Sequence, residues 1–79
     1  MKIEVNLFAS LARLKPDDAV GKSWWVDCDE GTTITKLMVL IGVPEKEVKL
    51  IFRNGVMCNP EETLHDGDRM GIFPPLGGG

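Results

Sequence analysis

The chain has 79 residues, of which 43% are apolar and 27% charged, with a formal net charge of −3. That length holds one core, and burying only about 60% of the unfolded surface makes for modest stability. So slight an acidic balance argues against nonspecific binding to nucleic acid or anionic membranes, which needs clustered Lys and Arg. No apolar run approaches the ~20 residues of a membrane helix. Met1-Lys2-Ile3-Glu4 opens an alternating strand, not an apolar signal stretch. Cys28 and Cys58 stand outside any CxxC or zinc spacing. The expectation is a reduced, cytoplasmic protein, with a disulfide between the two cysteines left open.

In chain order, Lys2 to Phe8 alternates, with Ile3, Val5 and Leu7 on one face and Lys2, Glu4 and Asn6 on the other, as in a half-buried strand. Ser10 is placed to cap a short helical turn through Leu14, and Lys15-Pro16-Asp17-Asp18 starts a polar loop running to Gly21. Ser23 to Cys28 reads as a second strand, with Trp24, Val26 and Cys28 on one face and Trp25 and Asp27 on the other. Thr32 or Thr33 then caps a helix whose stripe is Ile34, Leu37, Met38 and Ile41. Gly42 suits the left-handed position beyond it, and Pro44 forbids continuation.

Val48 to Arg53 reads as a third strand, and Asn54-Gly55 turns it into Val56-Met57. After a loop from Cys58 to Glu62, Leu64-His65-Asp66-Gly67-Asp68 turns the chain into a last strand, Arg69 to Phe73. Pro74-Pro75 ends it, since neither residue can donate to a ladder. The order β-β-α-β-β-β, with one helix crossing a mixed sheet, is an α+β arrangement of the β-grasp (ubiquitin-like) kind. Residues 1–73 form the domain and 74–79 a glycine-rich tail, expected to be disordered in the free protein. The crossover should make the first and last strands parallel neighbours.

Side chains offer little chemistry. His65 is the single histidine and sits in a turn, so no nucleophile has an evident base. Cys28 falls on the apolar face of its strand, and Cys58 lacks a cationic pair to activate it. Glu61, Glu62, Asp66 and Asp68 fit no calcium loop, and turn chemistry accounts for Asp66 and Asp68. No metal site and no glycine-rich phosphate loop is legible.

The tail is different. Gly77, Gly78 and Gly79 cost conformational entropy and add nothing to a core. From Pro74 to Gly79 an extended chain spans roughly 20 Å, enough to enter a partner's active site. The Gly79 carboxylate, with a pKa of about 3.5, is ionised and unreactive until activated, for example by adenylation. The ATP site must then belong to a partner.

These residues resemble a known family. Leu7-Phe8-Ala9-Ser10-Leu11-Ala12-Arg13-Leu14 is similar to the opening segment of the MoaD/ThiS sulfur carriers, and Gly31-Thr32-Thr33-Ile34 with Leu37 to their entry into the helix. Asn54-Gly55 resembles their hairpin, and Leu64-His65-Asp66-Gly67-Asp68-Arg69 their L-x-DGD turn. Ile72-Phe73-Pro74-Pro75-Leu76-Gly77-Gly78-Gly79 resembles their FPP-x-x-GG ending, of the MoaD type more than the ThiS type. The resemblance implies adenylation of Gly79 by an E1-like enzyme and conversion to a thiocarboxylate. It further implies insertion of the tail into the large subunit of molybdopterin synthase. The third glycine departs from the pattern and shifts the tail by one residue, and the Trp24-Trp25 pair matches no hallmark of the family.

Alternation also predicts a partner surface. In the third strand Leu50 and Phe52 should face the helix, leaving Ile51 outward; in the last strand Met70 and Ile72 should face in, leaving Gly71 and Phe73 out. Ile51 and Phe73, followed by Pro74, Pro75 and Leu76, are then the expected partner-binding residues, with Trp25 outward near the opposite edge. The readings that follow are a sulfur carrier for molybdenum or tungsten cofactor synthesis, a carrier for thiamine or amino-acid synthesis, and a modifier joined to lysines. A β-grasp interaction module that makes no use of its terminus is the remaining one.

Overall fold

The computed structural model describes residues 1–75; Leu76, Gly77, Gly78 and Gly79 lie outside the described residues, and with them the expectations for the tail. Strand β1 (Lys2–Leu7) follows its sequence alternation, and Ile3, Val5 and Leu7 are fully buried. β2 (Trp24–Asp27) returns antiparallel, placing Val26 opposite Ile3 and Trp24 opposite Val5 on the core side. It is shorter at both ends than the sequence suggests. After α1 (Ile34–Ile41) come β3 (Leu50–Arg53), β4 (Val56–Met57) and β5 (Arg69–Phe73). The sheet order is β2-β1-β5-β3-β4, and β1 and β5 are parallel neighbours at its centre. This is the β-grasp arrangement.

Local chemistry fixes α1 at both ends. The Thr33 hydroxyl accepts the Lys36 N–H at 3.2 Å, so Thr33 is the cap, while the Thr32 hydroxyl donates to the Asp29 carbonyl. The N–H groups of Ile34 and Thr35 donate to the Glu62 and Pro60 carbonyls, which supplies partners the first turn lacks internally. At the far end Gly42 has φ +79°, with Gly42 N–H on the Val39 carbonyl and Val43 N–H on the Met38 carbonyl. That is a Schellman ending, closed by the buried Val43. Ile34, Leu37 and Met38 pack into one core with Ile3, Val5, Leu7, Leu64, Met70 and Ile72.

Ser10 does not cap the turn after β1. The segment Ala9–Leu14 is a 3₁₀ helix that begins after Phe8 and has no side-chain cap. Arg13 ties it down instead, donating to the Ser10 carbonyl at 2.8 Å and to Glu47 at 2.6 Å.

The Asn54-Gly55 hairpin has φ +52° and +82°, the left-handed pair that a two-residue turn matching strand twist requires. Its tip is bound to the turn before β5. Asn54 Nδ2 donates to Asp68, whose other carboxylate oxygen accepts the His65 N–H, and the Lys2 N–H donates to Asp66. Both aspartates are thus used by backbone and hairpin.

A second expectation is overturned. Ile51 faces the core at 6% exposure, and Leu50 and Phe52 face outward. The cause is pairing: β3 meets β5 with Ile51 opposite Ile72, Leu50 opposite Phe73 and Phe52 opposite Gly71. Residues directly opposite share a face, so the buried Ile72 draws Ile51 inward.

Candidate functional site

The outward positions of the central strands gather three aromatic rings beside the end of the described chain. Phe8 follows the last residue of β1 and is held by its N–H on the Ile72 carbonyl. Its ring stacks on Phe73 with centroids 4.3 Å apart and planes within 2°. Phe52 meets the Phe73 ring edge-on, with centroids 5.6 Å apart and planes at 80°. Edge and stacked aromatic pairs contribute about 0.5–1.5 kcal/mol beyond their buried area. The cluster is therefore a preformed surface and not three independent side chains.

Gly71 makes room for it. A Cβ at that position would lie 3.3 Å from Phe8 Cε2 and 3.6 Å from Phe73 Cε1. The bare backbone there floors a hollow of about 390 Å³ walled by Phe8, Phe52 and Phe73, with Glu4, Asn6, Ser23 and Arg69 on its polar side. Asn6 Oδ1 is buried with no hydrogen-bond partner among the described residues, while Glu4 accepts the Ser23 hydroxyl at 2.6 Å. The face is thus apolar at one side and polar at the other, the composition of a protein-binding patch.

Phe73 lies where the sequence places it, outward and partly buried, and Pro74 is buried while Pro75 is exposed. Ile51 is not part of the face. Leu76, Gly77, Gly78 and Gly79 fall outside the described residues. Gly71 points outward as the alternation predicts, whereas Phe8 and Phe52 are the members of this face that the sequence does not declare. Extending the β1 alternation one step past Leu7 points Phe8 outward; Phe52 needs the strand pairing.

The other candidates stay apart from this face. The His65 side chain is 78% exposed, with Nδ1 3.9 Å from Asp68. Cys28 and Cys58 are free thiols, and burial, then the Glu62 carboxylate, pushes the Cys58 thiol above its usual 9.0. A thiol shifted that way is a poorer nucleophile at neutral pH. Among the described residues no group of three or more His, Cys, Asp or Glu is arranged to hold a metal, and no helix is long and apolar enough to cross a membrane.

The family model described as Mut7-C ubiquitin matches residues 1–76. The chain belongs to that family. As a Mut7-C ubiquitin member it is similar in structure to SAMP1 from Haloferax volcanii, with 25% identity, all of both chains covered and a TM-score of 0.73. It is likewise similar to a putative molybdopterin converting factor, subunit 1, from Pyrococcus furiosus, with 27% identity over 95% of this chain and 98% of that one and a TM-score of 0.73. A chain in the complex of subunits 1 and 2 of molybdopterin-converting factor from Helicobacter pylori is 24% identical over the whole of both chains, with a TM-score of 0.61, and shares the fold. No curated protein matches the chain. The resemblance to the MoaD/ThiS carriers thus stands at the level of fold and family.

Proposed function

We propose that this protein is a ubiquitin-like sulfur carrier that docks through the Phe8–Phe73–Phe52 face and works through its C-terminal glycine. The observation that carries the reading is position: the aromatic face ends at Phe73, and the next residues are Pro74-Pro75-Leu76-Gly77-Gly78-Gly79. A partner seated on the face is within roughly 20 Å of chain from the terminal carboxylate. Likeness to a putative molybdopterin converting factor, subunit 1, and to a chain from a complex of subunits 1 and 2 supports delivery of that sulfur in molybdopterin synthesis, with a large synthase subunit as partner.

The chemistry balances without any side chain of this protein. A Gly79 carboxylate oxygen attacks the α-phosphorus of ATP on an E1-like enzyme, and pyrophosphate leaves. Hydrosulfide then attacks the acyl carbon, AMP leaves with the oxygen, and a thiocarboxylate remains. Adenylation makes the acyl carbon an electrophile, which the ionised carboxylate is not. The test is intact mass after incubation with an E1-like enzyme, ATP and a sulfide donor. The expected product carries sulfur in place of one oxygen, and a mass that never changes with any such enzyme rejects the reading.

A second reading rests on the likeness to SAMP1, a name matched by the similar small archaeal modifier protein 1 of the same organism. An acyl adenylate is open to an amine as well as to sulfide, so the same glycine can end on a lysine. Loss of water on joining a lysine, seen as an adduct of higher mass, separates this outcome from the thiocarboxylate.

A further inference from the structure

β2 is an edge strand. It pairs with β1 on one side and has no strand neighbour on the other among the described residues. The phase of that pairing is fixed by two bonds at its end: Cys28 N–H donates to the Met1 carbonyl at 2.9 Å, and the Met1 ammonium donates to the Cys28 carbonyl at 2.7 Å. In an antiparallel ladder such pairs alternate, so Trp24 and Val26 also turn their backbone groups toward β1. Ser23, Trp25 and Asp27 turn theirs away, toward the open edge.

That set is self-complementary. A two-fold axis perpendicular to the sheet and just outside the edge at Trp25 places Trp25 opposite Trp25 of a second copy and Ser23 opposite Asp27. Every outward N–H then meets an outward carbonyl. The same operation keeps faces matched, Trp25 beside Trp25 on the outer face and Trp24 beside Val26 on the core side, as pairing demands. The strand carries no proline, no lysine and no bulge, and Asp27 at its end is its single charge, already paired with Lys2. Trp25 stands in the middle of it, 55% exposed, and Leu40 is 60% exposed by the adjoining hollow that Trp24 and Trp25 line.

Charge favours the antiparallel sense. Lys22 stands at the start of β2 with Lys15 Nζ on its carbonyl, and Asp27, Asp29 and Glu30 stand at its end. Two-fold pairing lays the basic end of each copy along the acidic end of the other, whereas parallel pairing stacks like on like. Asp17 and Asp18 in the preceding loop, and Lys2 on Asp27, temper this, so the hydrogen-bond phase sets the register and charge sets the direction.

We propose that the β2 edge is a homodimer interface, pairing antiparallel with β2 of a second copy about Trp25 to form a continuous ten-strand sheet. The occupant is this chain itself, because the edge supplies its own complementary hydrogen bonds, aromatic partner and charge order. Phe8, Phe52 and Phe73 belong to the β1, β3 and β5 side of the sheet, and only Ser23, on the polar rim of their hollow, is shared with the edge, so dimerisation does not depend on the carrier reading.

The experiment is sedimentation equilibrium of the full chain from 10 µM to about 1 mM, beside amide spectra over the same range. Expected are a concentration-dependent dimer and shifts at the Trp25 and Asp27 amides that exceed those at Trp24 and Val26. Trp25→Lys, on an exposed side chain, is expected to weaken association about tenfold or more while the melting curve is kept. Asp29→Lys is expected to weaken it and Lys22→Glu with Asp29→Lys to restore it. A monomer throughout the range overturns the proposal. So does a dimer that Phe73→Lys dissociates and Trp25→Lys does not, since that dimer uses the aromatic face.

Discussion

The rings of Phe8 and Phe73 stack with centroids 4.3 Å apart and planes nearly parallel, although one residue follows β1 and the other ends β5. Parallel pairing of those strands brings them together, with Leu7 opposite Ile72 in the core directly beneath. The aromatic face is therefore set by the same register as the core. A core side chain and a surface side chain on adjacent residues of one strand should respond differently to truncation.

Phe73→Ala removes the ring that touches both other aromatics. In partner binding it should cost about 2 kcal/mol or more, the usual loss for an aromatic anchor. Its effect on the fold should be smaller, because Phe73 is only partly buried. Titration calorimetry with the E1-like enzyme and a urea melt measure the two. Gly71→Ala should weaken the same binding by moving Phe8, since the new methyl group meets Phe8 Cε2 at 3.3 Å.

Ile51→Ala should destabilise by roughly 2–5 kcal/mol, as a core truncation does. Leu50→Ala, one residue earlier and outward, should cost much less. Denaturant midpoints for the pair read the register of β3 directly. Equal losses would mean that Ile51 is not the core residue of that strand.

Why this strand was misread while others were legible follows from its composition. β1 alternates apolar with polar, and α1 carries a stripe at helical spacing, so each declares its own buried face. Asn54-Gly55 and the Asp66-Gly67-Asp68 turn declare themselves through residues that accept left-handed backbone or bind it. Leu50-Ile51-Phe52 is apolar throughout and has no period to read. Its face is decided by Ile72 across the ladder, which is a tertiary fact. Gly71 held the clue: a residue without a side chain opposite Phe52 leaves space on the outer face for rings. Phe8 was hidden for a simpler reason, standing one residue beyond the strand whose alternation it continues.

Cys58 should react slowly with iodoacetamide at pH 8 in a Cys28→Ser background. Its thiol is raised above 9.0, first by burial and then by Glu62, so little thiolate is present there. The folded state holds this proton more tightly than the unfolded one, so the linked contribution to stability is present below pH 9 and fades as pH rises beyond it. Glu62→Gln removes the nearby negative charge and frees Arg53, which now pairs with it at 2.7 Å. The midpoint of the pH–rate profile should move down. A midpoint that moves up would put the cause elsewhere.

The carrier reading stands or falls on Gly79. Deleting it leaves a chain that still ends in Gly-Gly but reaches about 3.5 Å less far. A reacting atom misplaced by ~1 Å can lose about a hundredfold in rate. Sulfur transfer should therefore collapse in the deletion while the melting curve stays put, since the core closes at Ile72 and Pro74. Appending alanine after Gly79 should block thiocarboxylate formation more fully, because it moves the carboxylate and sets a methyl group beside the carbon that AMP must leave. Mass spectrometry of both variants after incubation with ATP, an E1-like enzyme and sulfide reads the outcome. Full activity of the extended chain would mean that trimming precedes activation. Full activity of the shortened chain would make Gly78 an adequate acyl donor and the third glycine dispensable. If both variants and the parent chain bind the enzyme through Phe73 yet none acquires AMP or sulfur, the aromatic face serves recognition alone and the interaction-module reading takes the place of the carrier.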